Sequence, residues 1–510
     1  MLSNIKSMSL VGVDGYLVDV QVDVTHGMPA WDIVGLPDAS VKEARERVRA
    51  ALRNVGVDFP SRKVVINLAP ANLKKEGPYF DLPIAIGILN DLEYLKCDNL
   101  SEYVFIGELS LDGSINRING ILPMCIEAYN LGIRKAIVPF ENRMEAGVVN
   151  GLEVYPAKSL IEIMEHLNGG NSIECFSTDV DDIFSKDNSC NFDFCEVKGQ
   201  ETIKRALEVA AAGGHNCLLI GSPGSGKTML ARRLPSILPD VTFKESLEIT
   251  KIHSIAGVLP SSDALVTSRP FRAPHHTVSS VALVGGGRVP KPGEISLAHY
   301  GVLFLDELPE FQRNTLEVMR APLEDRQVTI SRVSGTLTYP CDFMLIASMN
   351  PCPCGYYGSK EKECTCSSQQ ITRYMGKISG PLLDRIDIHI EVSPVKYEKL
   401  ESNENTERSA DIKKRVDAAR KIQSERYAGT DVICNAGLTA AMINKYCKLG
   451  KEERELLQGA FQRLGLSARA HSRILKVART IADLDNSEDI KVEHLAEAIQ
   501  YRSLDRKYWG

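Results

Sequence analysis

The sequence predicts an α/β protein with a central parallel sheet covered by helices on both faces and a helical tail. Three observations predict it. Strand-like apolar runs alternate with helical ones between residues 193 and 395. A glycine-rich phosphate-loop pattern lies between one such strand and the next helix. Beyond residue 396 the chain keeps helical periodicity with little strand signal. The chain has 510 residues, enough for roughly three domains at ~100–200 residues each. With 44% hydrophobic and 25% charged residues it is neither disordered nor collagen-like. A net charge of −6, from 60 basic and 66 acidic residues, excludes a globally basic nucleic-acid binder but leaves room for a local basic patch. No apolar run approaches the ~18 residues that span a bilayer, and the opening MLSNIKSMSLVGVDG reaches glycine and aspartate too early for a signal peptide. The expectation is a cytoplasmic protein with no membrane segment. Thirteen cysteines then point to thiols or metal ligands rather than disulfides.

Residues 1–168 read as one α/β unit. Alternation over residues 16–24 predicts a strand. Ser40 is placed to cap a helix running to Asn54, with Val41, Ala44, Val48, Ala51 and Leu52 on one face. Residues 64–68 look like a buried strand and residues 81–89 an apolar helix; residues 135–139 and 153–156 look like later strands. Residues 169–192 are polar, acidic and aperiodic, which reads as a linker. Residues 193–395 form the α/β core, and the polar stretch 398–409 opens a helical region, 396–510. No repeat or low-complexity tract is visible.

The strongest chemical signal is GSPGSGKT, residues Gly221, Ser222, Pro223, Gly224, Ser225, Gly226, Lys227 and Thr228. Residues 217–220 precede it as a strand and 229–234 follow as a helix. The glycines let successive N–H groups turn toward phosphate oxygens. Lys227 supplies charge to the β/γ-phosphates and Thr228 a hydroxyl to Mg²⁺. Residues 302–305 form an apolar strand ending in Asp306 and Glu307. Asp306 is placed to hold the Mg²⁺ water shell, and Glu307 to orient or deprotonate a water attacking the γ-phosphate. A further strand, residues 343–348, ends at Asn350, whose amide can touch the γ-phosphate or position that water. Arg385 can stabilise transition-state charge in cis or from a neighbouring subunit; on spacing alone it reads first as a surface partner of Asp384 or Asp387.

Four cysteines, Cys352, Cys354, Cys364 and Cys366, fall within fifteen residues. Two close pairs of thiolates can make a tetrahedral Zn²⁺ site, although C-x-C is tighter than the usual C-x₂-C. The alternative is a reduced, unliganded loop. Adjacent histidines His275 and His276, if extended, point opposite ways, which argues against a metal there.

These elements, in this order, resemble the AAA+ ATPases. RPFRAPHH at 269–276, the glycines 285–287, PGEISLAH at 292–299 and GVLFLDE at 301–307 resemble more closely the ComM/YifB family, often labelled magnesium chelatase-like, over nearly the whole chain. The resemblance implies ATP and Mg²⁺ at a Walker A loop of residues 221–228, with Asp306 and Glu307 as Walker B and Asn350 as sensor 1. It implies Arg385 as an arginine finger entering a neighbouring subunit, and Arg469 in a C-terminal lid as sensor 2, with Arg473 the runner-up. Residues 251–300 match an insertion in the second helix, and residues 328–339 a hairpin that turns at Ser334 and Gly335. It further implies a hexamer that moves or remodels DNA, with branch migration during recombination of incoming DNA in natural transformation as the best-specified activity. The competing readings are a chelatase motor that inserts Mg²⁺ into a porphyrin and an ATP-gated scaffold without an enzymatic output.

Residues 1–168 resemble the Lon-protease-like fold (ribosomal S5 domain 2-like). The position of the peptidase serine holds Tyr79, and that of its lysine Met124. A hydroxyl without an adjacent amine is not activated, so no proteolysis is expected. Nine Lys or Arg against four acids in residues 42–76 read either as a phosphate-tracking surface or as a solvated helix face. Residues 264–293 carry Arg269, Arg272, Arg288 and Lys291 and no Asp or Glu. With Arg332 near the hairpin tip they are candidate DNA contacts in a ring pore, or bridges between subunits.

Overall fold

The computed structural model describes residues 2–509 apart from 59–61, 98, 186–191, 288–289, 333–334, 360–361, 396–405 and 465. It divides into two units. Met1–Asp187 with Phe243–Thr267 form the first, and Asn188–Thr242 with Ser268–Gly510 the second.

The first unit is built on a mixed sheet of seven strands: β1 (Ser3–Val11), β2 (Asp14–Thr25), β3 (Ala30–Val34), β4 (Lys63–Ala69), β5 (Tyr103–Phe105), β8 (Lys135–Pro139) and β9 (Glu153–Ala157), in the order β3-β4-β2-β1-β5-β8-β9. Between them β6 (Glu108–Leu109) and β7 (Ile115–Asn116) form a short antiparallel pair. β1 to β2 and β2 to β4 are antiparallel, and the β5-β8-β9 side is parallel. The predicted strands at 16–24, 64–68, 135–139 and 153–156 all form. β1, β3 and β5 carry no clear periodicity of their own and are recruited by pairing. Helix Ala39–Asn54 buries Val41, Ala44, Val48, Ala51 and Leu52. Its cap is Asp38, whose carboxylate accepts from Val41 N and from the Ser40 hydroxyl. This corrects the expected Ser40 cap: the carboxylate is the better acceptor and Ser40 lies inside the first turn. Helix Asp81–Asp91 is buried from Asp81 to Leu89, and Arg47 closes on Asp81 with two bonds of 2.6 and 3.0 Å.

The polar stretch after residue 168 carries a short helix, Val180–Ser185, whose Phe184 meets Phe243 edge to face. Helix Phe243–Ala256 also belongs to this unit. Its Ser254 hydroxyl donates to buried Glu145 and accepts from Gly120 N, and Arg117 donates to the Leu259 carbonyl.

The second unit holds β10 (Cys217–Gly221), β11 (Phe271–Arg272), β14 (Val302–Leu305), β17 (Met344–Met349) and β18 (Ile388–Val392), ordered β11-β14-β17-β10-β18 and parallel throughout. Every residue of β10, β14 and β17 is buried, so both faces of the sheet are covered, as their unbroken apolar runs require. Two ribbons project from it, β12 (Gly285–Gly286) with β13 (Lys291–Pro292) and β15 (Gln327–Arg332) with β16 (Gly335–Pro340). Arg332 pairs with Gly335, so Gly335 opens β16 rather than forming the turn; Ser334 lies outside the described residues.

The tail is helical: Ser409–Arg426, Ala440–Tyr446, Lys451–Leu464, Ala468–Leu484 and Val492–Gln500. It docks on helix Glu201–Gly213, where Arg420 and Gln423 donate to the Ala211 and Ala212 carbonyls. Beneath lies a buried polar cluster. His215 Nε2 is 2.8 Å from the Thr480 hydroxyl, its Nδ1 is 3.4 Å from Asp387, and Arg473 pairs with the same carboxylate. No helix among the described residues is long and apolar enough to cross a membrane.

Candidate functional site

In a parallel sheet the carboxyl ends of the strands share one edge, and ligands bind outside that edge. Three neighbouring strands, β10, β17 and β14, deliver the loop from Gly221, then Asn350, then Asp306 to that edge. Gly224 and Gly226 adopt φ of +76° and +89°, a region open to glycine at no steric cost. They turn the loop into helix Lys227–Arg233. Lys227 is nearly buried, and its ammonium donates to the carbonyls of Gly221 (2.7 Å) and Ser222 (2.9 Å) and to Asn350 Oδ1 (3.2 Å). Burial pushes its pKa down against the opposing pull of Asp306 and Glu307. A desolvated cation folded back on carbonyls is poised for an anionic ligand. In the same loop the Ser222 and Ser225 hydroxyls are buried with no hydrogen-bond partner among the described residues.

Thr228 donates to Asp306 Oδ2 at 2.7 Å, so the hydroxyl and carboxylate expected to meet Mg²⁺ already meet each other. The other carboxylate oxygen of Asp306 accepts from the Ser348 hydroxyl and from Glu307 N (3.0 Å). Ser348 stands on β17 beside Asp306 and was not singled out from sequence; a lone serine inside an apolar strand is the signal that marks it. Glu307 sits at φ 53°, ψ 48°, a conformation that costs a non-glycine residue about 1–3 kcal/mol and concentrates at functional sites. Its carboxylate is 58% exposed and lies 3.8 Å from His276 Nδ1. The rings of His275 and His276 are 4.0 Å apart, in a turn rather than an extended run, so the expectation that they point opposite ways does not hold.

The family described as "Magnesium chelatase, subunit ChlI" matches residues 193–400, "Subunit ChlI of Mg-chelatase" residues 20–142, and the ChlI C-terminal family residues 406–502. YifB of Escherichia coli (strain K12) is 45% identical over 507 residues, 99% of this chain and 98% of that protein. The chain belongs to the ComM/YifB family of magnesium chelatase ChlI-like proteins. Competence protein ComM of Haemophilus influenzae is 42% identical over 512 residues, 99% of this chain and 98% of that protein. Lon protease 2 of Bacillus subtilis is 25% identical over 170 residues, 30% of each chain.

Other residues of this ComM/YifB-type chain stand apart from the phosphate-loop cluster. Arg385 is 5% exposed and pairs with Glu324 at 2.7 Å, and it also donates to the Pro381 carbonyl. Asp387 is occupied by Arg473 and His215, and Asp384 lies 4.0 Å from Arg469. The partners expected for Arg385 from spacing are therefore taken by others. Arg469 is 57% exposed at the start of helix Ala468–Leu484. Arg272 is not a free cation: Glu294, one residue past the acid-free window, takes its guanidinium at 2.7 and 2.8 Å. Arg269 ties the Pro239, Asp240 and Tyr300 carbonyls together. Lys291 is exposed on β13. Arg332 ends β15 as a backbone position, its side chain outside the described residues, and Arg288 also lies outside them.

The sulfurs of Cys352, Cys354, Cys364 and Cys366 all lie within 4.8 Å of one another, with separations of 3.3, 3.6 and 3.7 Å among the first three. These exceed the ~2.05 Å of a disulfide and sit near the ~3.8 Å edge of a tetrahedron with 2.3 Å Zn–S bonds. The donor set fits Zn²⁺. Backbone N–H groups of Cys354 and Tyr357 donate to the Cys366 and Cys352 sulfurs.

In the first unit Tyr79 is half-buried with its hydroxyl 3.3 Å from the Ser9 hydroxyl, and Met124 is fully buried. Two of the nine cations in residues 42–76 are spent on the fold. Arg47 holds Asp81, and Lys75 is buried with its ammonium on the Pro70 and Leu73 carbonyls.

Proposed function

We propose that this protein is an ATP-hydrolysing ring motor acting on DNA, a branch-migration helicase in recombination during natural transformation. The observation that carries the ATPase part is the meeting of Lys227, Asn350, Thr228 and Asp306 on one sheet edge. MgATP is the substrate. The loop of residues 221–228 would cradle its phosphates, Lys227 would give its charge to the β/γ oxygens, and Thr228 and Asp306 would hold Mg²⁺. Glu307 activates the water and Asn350 orients it against the γ-phosphate. Arg385, released from Glu324, completes the site of a neighbouring copy, so hydrolysis requires a homo-oligomer, read as a hexamer. Residues 193–395 serve as an AAA+ core and 396–510 as its lid, with Arg469 as sensor 2. Residues 1–168, joined through 169–192, are a Lon-like domain that has no peptidase dyad and serves binding or capping. The four cysteines hold a structural Zn²⁺.

The DNA part is supported by the similarity to competence protein ComM. Lys291 on one ribbon, Arg332 on the other and Arg288 are the proposed strand contacts, while Arg269 and Arg272 shape the loop that carries them. The test is ATP turnover with no DNA, single-stranded DNA and forked DNA, beside unwinding of a three-way junction. DNA-stimulated turnover with unwinding is expected. Turnover indifferent to DNA overturns the motor reading. The family descriptions favour one second reading, a chelatase motor; ATP-dependent Mg²⁺ insertion into a porphyrin without a DNA response selects it.

A further inference from the structure

The four-cysteine loop starts two residues after Asn350, at the very strand tip that meets Lys227. It also returns to the phosphate loop by a second route. Gly355, held by its N–H to the Cys352 carbonyl at 2.9 Å, lies against the Pro223 ring so closely that a Cβ there would stand 2.4 Å from Pro223 Cδ. Gly355 has φ +85°, so a side chain there would strain the backbone and press on the Pro223 ring. Pro223 is the third residue of the phosphate loop 221–228. Gly355 therefore touches the phosphate loop directly, and Cys352 follows Asn350, which meets Lys227, by two residues.

We infer that Zn²⁺ bound by Cys352, Cys354, Cys364 and Cys366 is a strut for the phosphate loop: it holds Gly355 against Pro223 and fixes Asn350, coupling metal occupancy to nucleotide affinity. This rests on reading the cysteines as a Zn²⁺ site and residues 221–228 as a nucleotide site. The physical argument is that the described residues between Cys354 and Cys364 form no helix or strand. Tetrathiolate ligation supplies the free energy that orders this segment. Once ordered, its close contact with Pro223 restricts the loop before nucleotide arrives, and ordering done in advance is ordering that binding does not have to supply. Linkage makes the effect reciprocal: nucleotide must retain the metal as strongly as metal retains nucleotide.

The experiment uses the full-length zinc-loaded protein with Mg²⁺ in excess and three readouts: zinc content after dialysis, Kd for a fluorescent ADP analogue, and the rate of zinc loss to 1,10-phenanthroline. Stoichiometric zinc is expected. Stripping it should weaken ADP by about 10-fold, within the usual span of allosteric coupling, and saturating ADP should slow zinc loss. Gly355→Ala leaves every ligand in place, so it should keep its zinc yet bind ADP more weakly; it carries the test if the stripped protein unfolds. Absence of stoichiometric zinc overturns the metal reading and the strut together. Stoichiometric zinc with equal ADP affinity in stripped protein and in Gly355→Ala overturns the strut alone. Failure of the zinc-loaded protein to bind ADP at all overturns the nucleotide-site reading and the strut with it.

Discussion

The guanidinium of Arg385 rests 2.7 Å from the carboxylate of Glu324, 5% exposed, inside its own chain. An arginine that serves a neighbouring phosphate must first leave that partner. Glu324 is about half exposed, so the exchange swaps one anion for another rather than stranding a buried charge.

Arg385→Ala should therefore leave nucleotide affinity near wild type and lower turnover by about 10³-fold or more, the range for such arginines. Adding Glu307→Gln subunits, which keep Arg385 but lack the carboxylate proposed to activate water, should restore part of the turnover in mixed rings. Turnover measured against mixing ratio checks it; a flat response rules out action in trans.

Within one chain, Lys227→Ala and Glu307→Gln should separate binding from chemistry. Loss of Lys227 removes the cation now stacked on the Gly221 and Ser222 carbonyls, and nucleotide binding should fall. Glu307→Gln should keep binding and lose turnover, because an amide cannot accept a proton from an attacking water. Equilibrium binding beside steady-state hydrolysis distinguishes the two.

Ser348 supports Asp306 from the adjacent strand. Ser348→Ala removes a hydrogen bond to a charged group, about 1.5–3 kcal/mol, and leaves Asp306 freer to rotate. The Mg²⁺ concentration needed for half-maximal turnover should rise by roughly 10-fold, with folding stability falling by no more than the hydrogen bond contributed. A magnesium titration of the hydrolysis rate is the measurement. An unchanged midpoint would remove Ser348 from the metal-positioning set.

Asp387 governs acid stability. Burial by itself would raise its pKa, but the Arg473 charge and the His215 hydrogen bond outweigh burial and hold the carboxyl well below its usual range. Burial lowers the His215 pKa, so near neutrality the imidazole is an uncharged donor and Arg473 supplies the charge. A depressed folded-state pKa means that the stabilisation is complete above the unfolded value of about 3.9 and is lost as pH falls below it toward the folded value. Asp387→Asn leaves Arg473 without its partner and should cost about 3–5 kcal/mol at neutral pH. Urea unfolding of both proteins from pH 6 to pH 3 should show the gap narrowing toward acid.

Much of this architecture was legible in the chain because its signals are local. Unbroken apolar runs marked β10, β14 and β17, and the spacing of Val41, Ala44, Val48, Ala51 and Leu52 marked the buried face of one helix. The short strands β3 and β5 were not legible, since pairing with β4 and β8 makes them strands. Nor was the Asp38 cap, where two oxygen-bearing side chains two positions apart are both plausible caps and only Asp38 takes the Val41 N–H.

By itself the sequence determined which groups can do chemistry: a glycine-turned phosphate loop, two carboxylates and an amide at strand ends, and four thiols in close pairs. Residue type and short-range spacing carry that information, because the turns and strand ends that present these groups are local events. Tertiary structure alone decided who meets whom. It put Ser348 behind Asp306, set Glu324 rather than Asp384 or Asp387 on Arg385, gave Arg272 to Glu294, and laid Gly355 on Pro223. All four contacts join residues more than twenty positions apart. Strand order and loop packing bring such residues together, and no periodicity along the chain records either.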